Sequence, residues 1–221
     1  TAAGDLSDPR KLLAAVGARY DRAIDYSLAF ETESKSTLTG RVDSFEYRMA
    51  ASRPRQSMMR QIARWGEPSD LLLIASSGKS WAYQARTGLF TEGTASDAPE
   101  RAELARQHQR YFRRFRMLGS IDAVVRRLGD ENVTSDGKPV RCVRLRMTAA
   151  DQRWTEELWI DPKRLLVLKL VSRHKPPFPE AGEIVTTTSW TESSVDEPVD
   201  PSLFEFRPPE GARRTNAIEF R

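Results

Sequence analysis

The stretch LLLIASSGKSWAYQA, residues 71–85, decides the fold. It is either part of a phosphate-binding loop or a β-hairpin, and each implies a different architecture. Gly78-Lys79-Ser80 behind an apolar run looks like the end of a phosphate-binding loop. Such a loop needs a strand, a glycine-rich cradle and then a helix. The first glycine of that pattern belongs at position 73, where the chain has Leu73. The cradle is therefore missing, and a bare glycine-lysine-serine carries little specificity.

The residues behind Gly78 favour a different structure. Trp81 and Tyr83 alternate with small or polar residues, which is a period of two and typical of a strand. Ser77-Gly78 stands between two such runs, where glycine can supply a positive φ. The stretch therefore predicts a tight β-hairpin.

The same alternation recurs along most of the chain, after one helix at the N-terminus. Asp8 is predicted to cap that helix and Pro9 to open it, with its end near Ala23. Successive short strands joined by turns indicate an antiparallel meander. No linker divides the chain, so we predict a single domain over residues 1–221. The predicted strands are residues 26–31, 44–49, 58–62, 71–75, 79–85, 89–92, 142–147, 158–160, 165–173, 184–191 and 205–207.

A helical insertion is predicted in the middle of the chain. Residues 101–118 place aromatic and aliphatic side chains on one helical face and arginines on the rest. After Gly119, Ser120 is predicted to cap a second short helix, because apolar residues follow it at helical spacing. Residues 129–139 are then predicted to be a turn-rich connection. The two helices, about residues 101–128, are the predicted lid, with Phe112, Phe115, Leu118, Ile121 and Val125 as its apolar contacts.

Composition restricts the class of protein. Of 221 residues, 39% are hydrophobic and 30% charged, which is a globular composition and not a disordered one. The apolar runs are too short to span a bilayer. Cys142 is the single cysteine, so no internal disulfide can form. The chain begins at Thr1, and we expect that a signal peptide has been removed before it.

No catalytic or metal-binding motif is present in the sequence. The two histidines, His108 and His174, have no cysteine or carboxylate at metal-ligand spacing. No Gly-x-Ser-x-Gly elbow occurs. We therefore predict a protein that is not an enzyme and that uses no cofactor and no metal.

The predicted lid is strongly basic. Its arginines either contact anionic partners or form a solvated helix face, and the sequence favours neither. Nucleic acid binding is not predicted, because the interleaved aromatic residues lie on the apolar stripe of the helix and are expected to pack upon the sheet. The arginines predicted to approach an anionic membrane surface are Arg110, Arg113, Arg114 and Arg116.

A curved sheet of about ten strands has a concave apolar face that two short helices cover only in part. Periodicity alone leaves open whether that hollow is a filled core or a cavity for an apolar ligand. The residues predicted to line it are Leu28, Phe30, Phe45, Tyr47, Met49, Trp81, Tyr83, Leu145, Met147, Leu166, Leu168 and Leu170.

The order of the segments resembles the LolA/LolB-like lipoprotein-carrier superfamily, which includes the N-terminal domain of the periplasmic regulator RseB. The stretches that carry the resemblance are LLAAVGARYDRAIDYSLAFETES, RPRQSMMRQ, SSGKSWAYQARTG, TEELWIDPKRLLVLKLVSR and VDPSLFEFRPPEGA. The resemblance implies an α+β fold: a single antiparallel curved sheet of 10–11 strands, forming an unclosed β-barrel with an N-terminal helix and a mid-chain helical lid.

The function that the resemblance implies is the binding or transport of lipoprotein acyl chains, or of a related lipid, in the periplasm or at the outer membrane. The first alternative is an RseB-like sensor that uses the same cavity and contacts a membrane-protein partner. The second alternative is an interaction protein whose sheet is simply filled.

Overall fold

A computed structural model describes residues 6–52, 56–63, 69–94, 98–176 and 182–218. Over these residues the chain forms two α-helices, twelve β-strands and two short 3₁₀ turns. The helices are α1 (Pro9–Arg22) and α2 (Pro99–Arg116), and the turns are the Met117 turn (Met117–Ser120) and the Pro201 turn (Pro201–Phe204). The strands are β1 (Tyr26–Ser36), β2 (Val42–Ser52), β3 (Gln56–Ala63), β4 (Ser69–Ser76), β5 (Lys79–Gln84), β6 (Leu89–Gly93), β7 (Val124–Ser135), β8 (Lys138–Thr148), β9 (Trp154–Asp161), β10 (Leu166–His174), β11 (Ile184–Val195) and β12 (Arg213–Arg214).

The strands form one sheet in the order β12-β6-β5-β4-β3-β2-β1-β11-β10-β9-β8-β7. The pairs from β2 to β6 and from β11 to β7 are antiparallel, and β12 runs parallel to β6. Among the described residues, the end strands β12 and β7 do not pair with each other, so the sheet is open. The predicted class, α+β with an unclosed sheet, an N-terminal helix and a mid-chain helix, is confirmed.

The chain divides into two compact units. Unit 1 comprises Thr1–Arg22, Phe30–Ser44 and Phe112–Ser193, and unit 2 comprises Ala23–Ala29, Phe45–Tyr111 and Ser194–Arg221. Four elements contribute residues to both units, namely β1, β2, β11 and α2. The units are therefore not separate stretches of chain, and the single domain stays a prediction.

The hairpin predicted at residues 71–85 is confirmed. Ser76 at the end of β4 pairs with Lys79 at the start of β5, which leaves a two-residue loop. Ser77 and Gly78 have φ of 48° and 83°, so both loop residues are left-handed. Two left-handed residues match the twist of the flanking strands in a tight hairpin.

The predicted start of α1 is also confirmed. The side chain of Asp8 accepts hydrogen bonds from the backbone N–H groups of Arg10 (2.7 Å) and Lys11 (3.4 Å). These bonds satisfy donors that have no partner inside the first helical turn. The stripe that α1 buries is Leu12, Leu13, Val16 and Tyr20.

The prediction of a second lid helix after Ser120 is wrong. Residues 124–135 form β7, which pairs with β8 along its whole length, so the predicted turn-rich connection over residues 129–139 is also mostly strand. The apolar residues at helical spacing do not share a buried face, since β7 is largely exposed. Two adjacent β-branched residues, Val124 and Val125, fit a strand better than a helix.

The strand predicted at residues 205–207 is wrong as well, because those residues form no strand. They follow the Pro201 turn and belong to unit 2. The terminal strand of the sheet is instead β12, in which Arg213 pairs with Leu89 and Arg214 with Phe90.

The hairpin turn gives a stability prediction. Gly78→Ala places a Cβ on a left-handed residue and should lower the free energy of unfolding by about 1 kcal/mol. Ser77→Asn at the neighbouring left-handed position is the matched control, because asparagine tolerates that conformation, and it should leave stability unchanged or raise it slightly. Urea unfolding followed by circular dichroism measures both. Equal losses in the two variants would contradict the assigned turn.

Candidate functional site

The side chains of one sheet face in unit 1 form a continuous apolar surface. Leu145 of β8 pairs with Leu158 of β9, which pairs with Leu170 of β10. Directly paired residues of an antiparallel ladder share a face, and Met147 shares it as the next-but-one neighbour of Leu145. We call this surface the helix-covered face. Its four residues are at most 2% exposed.

Both helices contribute side chains that reach this face. Glu156 pairs with Met147 and therefore lies on the same side, where it forms an ion pair with Arg114 of α2. The hydroxyl of Tyr20 on α1 accepts a hydrogen bond from the backbone N–H of Val167 at 3.2 Å. Burial raises the pKa of the Tyr20 hydroxyl well above its ordinary value, so this side chain stays neutral.

Five aromatic side chains pack together in unit 1, and we call them the ring cluster. Tyr20 stacks on Phe115 with centroids 4.8 Å apart and contacts Phe112 at 5.9 Å. Trp190 packs against Phe115 at 5.7 Å and against Phe30 at 5.8 Å. All five are buried. The predicted lid residues Phe112 and Phe115 and the predicted lining residue Phe30 are therefore brought together.

Sequence reasoning missed two members of the ring cluster. Tyr20 lies on the buried stripe of α1, and helical periodicity alone indicates packing there and not a site. Trp190 stands in a threonine-rich strand, and its alternation with Thr188 was the signal that could have placed it on a buried face.

Helix α1 lies very close to the end of α2 and to the Met117 turn, and a glycine is present at each close contact. A Cβ at Gly17 of α1 would lie 2.9 Å from the backbone oxygen of Arg116, and one at Gly119 would lie 2.9 Å from the Cα of Ala14. Real Cβ atoms essentially never come so near a backbone atom. The absence of a side chain at these two positions is thus what lets the end of α2 and the Met117 turn lie against α1.

The other predicted lid residues differ in position. Leu118 is buried in the Met117 turn. Ile121 follows in an extended link, and its carbonyl accepts a hydrogen bond from Arg10 at 2.9 Å. Val125 of β7 pairs with Met147 of β8, so it lies on the helix-covered face as part of the sheet and not in a helix.

The predicted row Leu166, Leu168 and Leu170 does not lie on one face. The register between β9 and β10 shifts between Val167 and Lys169, which makes Leu168 the additional residue of a β-bulge. Leu166 pairs with Asp161 and Leu170 with Leu158, so the two leucines point to opposite faces. A strict period of two cannot anticipate such a shift.

In unit 2 the predicted lining residues also separate. Trp81 pairs with Ile74, Ile74 with Met58, and Met58 with Ala50, so these four share a face that also contains Tyr83. Met49 is adjacent to Ala50 and lies on the opposite face, together with Tyr47 and Phe45. The prediction that these residues line a single hollow is therefore wrong.

The face with Trp81 and Tyr83 is covered by the segment around the Pro201 turn. Phe206 lies 6.1 Å from Trp81, 6.0 Å from Tyr83 and 5.6 Å from Phe90 between ring centroids. Phe204 is buried in a cluster with Ala50, Met58 and Ile74. These rings form a structural core of unit 2.

The opposite face of unit 2 contains Phe45, Tyr47 and Met49 of the predicted lining. Phe45 and Tyr47 are partly buried with ring centroids 6.1 Å apart, and Met49 is buried opposite Met59. Burial raises the pKa of Tyr47. Leu28 of β1 is 1% exposed.

His108, in the part of α2 that belongs to unit 2, forms two hydrogen bonds. Its Nε2–H donates to the backbone oxygen of Met58 at 3.1 Å, and its Nδ1 accepts from the hydroxyl of Tyr26. Burial lowers the pKa of the imidazole to about 4. His108 is thus neutral near pH 7 and fixes this part of the helix to β3.

The arginines predicted to contact a membrane surface differ in their contacts. Arg114 forms an ion pair with Glu156, and Arg116 with Asp21 at 3.6 Å. Among the described residues, Arg110 and Arg113 form no ion pair, and both are exposed.

A cavity of about 490 Å³ in unit 2 has a mixed lining. It contains the ion pair of Arg60 and Asp70, with Nε to Oδ1 at 2.9 Å, beside Tyr83 and Phe206. Its charged lining does not match the predicted acyl-chain hollow.

In the part of the chain that the structure describes, no group of three or more histidine, cysteine, aspartate or glutamate residues could hold a metal ion. Nor does any described helix combine the length and apolar character that crossing a bilayer requires.

No protein-family model and no curated protein matches the sequence. Solved structures show similarity of fold. MucB matches with a TM-score of 0.52 and 16% identity, over 91% of this chain and 63% of that chain, so the chain spans less than two thirds of MucB. LprF from Mycobacterium bovis matches with a TM-score of 0.52 and 11% identity, over 86% of this chain and 94% of that chain. The LolA superfamily protein NE2245 from Nitrosomonas europaea has a TM-score of 0.35 and 8% identity, over 89% of this chain and 97% of that chain.

The similarity to MucB and LprF, both with a TM-score of 0.52, shows a shared fold.

The close approach at Gly17 predicts that Gly17→Ala lowers the free energy of unfolding, whereas the same change in an exposed helix usually raises it. In an exposed helix, Gly→Ala stabilises by about 1 kcal/mol. Here we expect Gly17→Ala to destabilise by about 1–3 kcal/mol, because the new Cβ meets the backbone oxygen of Arg116. Thermal and urea unfolding measure the change, and a stabilised variant would contradict the described packing.

The burial of His108 predicts an acid-sensitive stability. The folded-state pKa lies below that of the unfolded chain, so the unfolded state binds the proton more tightly. The contribution of His108 is intact above pH 6.5 and is lost as the pH falls towards 4, by about 2–3 kcal/mol in total. His108→Gln should remove this part of the pH dependence, while His174→Gln, at an exposed histidine, should keep it. Urea midpoints between pH 7 and pH 4 give the comparison, and parallel curves for wild type and His108→Gln would refute it.

Proposed function

We propose that this protein is a non-enzymatic binder of lipid or lipoprotein acyl chains in the bacterial envelope, and that the helix-covered face of unit 1 is its binding surface. The observation that carries the proposal is the packing of an aromatic ring of α2 on this apolar sheet face. Thr188 pairs with Leu170, so Trp190, two residues along β11, shares the face, and Phe115 packs against Trp190. Phe112 and Phe115 belong to the predicted lid. The fold shared with MucB and LprF is compatible with this role.

The chemistry of the face suits an acyl chain. Its lining is aliphatic with one methionine, whose flexible and polarizable side chain adapts to different partners. Each buried methylene of a chain contributes about 0.8 kcal/mol. A surface of this kind shields a chain from water by area and does not depend on a specific polar anchor.

In this proposal, the observed packing corresponds to the closed state of the site. Leu145 and Met147 are fully buried, so the space that an acyl chain would occupy is filled by the protein's own side chains. Binding then requires a second conformation in which the rings leave the face. The apparent affinity equals the intrinsic affinity multiplied by the population of that open state.

The end of α2 is the more suitable element to move. Tyr20 of α1 is tied to the backbone of β10 and completely buried. The polar contacts of the α2 end, Arg114 with Glu156 and Arg116 with Asp21, involve partly exposed arginines. Such ion pairs contribute about 0–1 kcal/mol each. Closure of α2 therefore depends mainly on Phe112 and Phe115.

The proposal includes Phe30, Leu145, Met147 and Leu170 from the predicted lining. It leaves out Trp81 and Tyr83, which pack with Phe206 in unit 2.

The proposal predicts that removing a covering ring strengthens binding. Phe115→Ala destabilises the closed state, so a fluorescent fatty acid should bind about tenfold or more tightly than to the wild type. Phe206→Ala is the control, since it removes a partly buried ring that contacts Trp81, Tyr83 and Phe90 in unit 2, and it should not change the affinity. Probe titration and native mass spectrometry measure binding, with circular dichroism to confirm folding. If Phe115→Ala proves unfolded, Phe115→Leu provides a milder truncation with a smaller change in the same direction.

Two outcomes would contradict acyl-chain binding at the helix-covered face. The absence of probe binding to the wild type and to both variants of Phe115 would favour the filled interaction protein. A change with Phe206→Ala alone would move the site to unit 2. A pull-down from solubilised envelope tests the sensor alternative, because a carrier should retain many lipoproteins and a sensor one membrane protein.

A further inference from the structure

Exposed apolar side chains are concentrated in one short segment of unit 1. Six large hydrophobic residues are strongly exposed among the described residues, and three of them lie within residues 117–128. Met117 is 51% exposed, Val124 55% and Leu128 40%. We call residues 113–128 the exit segment, because they run from the end of α2 into β7.

The formal net charge of the exit segment equals that of the whole chain. It has five arginines, namely Arg113, Arg114, Arg116, Arg126 and Arg127, and one acidic residue, Asp122. Its formal charge is thus +4, which equals that of all 221 residues, so the rest of the chain is neutral in sum. Arg113 and Arg126 are exposed and form no ion pair with any described residue.

The backbone of the exit segment is held in place by unit 1. Leu118 is buried, and Gly119 lies against Ala14. The guanidinium of Arg10 donates hydrogen bonds to the carbonyl oxygens of Ile121 and Ala123. The exposure of Met117 and Val124 is therefore a consequence of how the fold orients this segment.

The start of β7 places an apolar and a cationic side chain on the same side. Val124 and Arg126 alternate with Val125, which faces Met147 on the other side. The register then shifts between Arg127 and Gly129, which makes Leu128 the additional residue of a bulge. Bulged and terminal residues are those whose side chains are least constrained by sheet packing.

We infer that the exit segment docks on an anionic membrane, with Met117, Val124 and Leu128 entering the interface between headgroups and acyl chains and the arginines contacting the headgroups. Exposed apolar residues beside clustered arginines are the combination that binds such an interface. Nucleic acid fits the segment less well, because its aromatic residue Phe115 and the adjacent Phe112 are buried and offer no stacking surface. This inference goes beyond the proposed function and does not depend on acyl-chain binding.

The membrane contact is measured by flotation with vesicles of phosphatidylethanolamine and phosphatidylglycerol at a ratio of 7:3. The full chain should bind these vesicles and not vesicles of phosphatidylcholine alone. Met117→Ser/Val124→Ser/Leu128→Ser should weaken partitioning about tenfold or more, and Arg113→Gln/Arg126→Gln should weaken it by a similar factor. The matched control is Leu38→Ser/Ile184→Ser, which removes two exposed apolar residues elsewhere in unit 1 and should bind as the wild type does.

Insertion is tested directly with an environment-sensitive fluorophore on Met117→Cys. The only native thiol, Cys142, is buried with its pKa raised to about 12, so it does not compete for the label. The emission should shift to the blue on anionic vesicles, while a label on Leu38→Cys should not shift. Binding that survives the triple serine change, an unshifted label at position 117, or retention of an oligonucleotide in place of vesicles would each overturn the inference. A failed acyl-probe titration would leave all of these readouts unaffected.

Discussion

The stacking of Phe115 on Tyr20, with Phe112 beside them, is the interaction on which the arrangement of unit 1 depends. The part of the sheet face formed by Leu145, Met147, Leu158 and Leu170 is apolar, and such a surface must be covered by some other apolar group. The rings of α2 provide this cover while α1 holds Tyr20 at the backbone of β10. Burying a side chain of this size contributes about 1.5–3 kcal/mol, which exceeds the contribution of the partly exposed ion pairs of the α2 end.

The two units solve the same physical problem in different ways. In unit 1, residues from both helices cover the apolar face. In unit 2, the face that contains Trp81 is covered by the segment around the Pro201 turn, and Phe204 and Phe206 are its anchors. The helix α2 begins in unit 2, where His108 is fixed by two hydrogen bonds, and ends in unit 1, where Phe112 and Phe115 are buried. Its anchorage thus includes specific hydrogen bonds in unit 2 and depends on buried aromatic rings in unit 1.

Much of the architecture could be predicted from the sequence, since it depends on local rules. The turn at Ser77-Gly78, the cap at Asp8 and the apolar stripe of α2 follow from left-handed backbone, orphan N–H donors and helical periodicity. The candidate site was harder to predict because its geometry depends on register. One bulge at Leu168 sends Leu166 and Leu170 to opposite faces, and a period of two contains no information about it. The segment after Ser120 has helical spacing by coincidence, and pairing with β8 makes it a strand. Trp81 and Met49 both lie on strands, but only the pairing of β2 to β5 shows that they face opposite ways.

The central claim is that the helix-covered face becomes accessible only when the end of α2 and the Met117 turn separate from α1. A reducible crosslink between these elements tests it most directly. Asp21 of α1 and Arg116 of α2 are partly exposed and form an ion pair, with Oδ1 and Nε 3.6 Å apart, so Asp21→Cys/Arg116→Cys can be joined by a short bis-methanethiosulfonate reagent that forms a disulfide with each thiol. Titration of one preparation with a fluorescent fatty acid, first crosslinked and then reduced, gives the answer. Binding is expected in the reduced form, and at least about tenfold weaker binding in the crosslinked form. Equal affinity in both forms would contradict this claim.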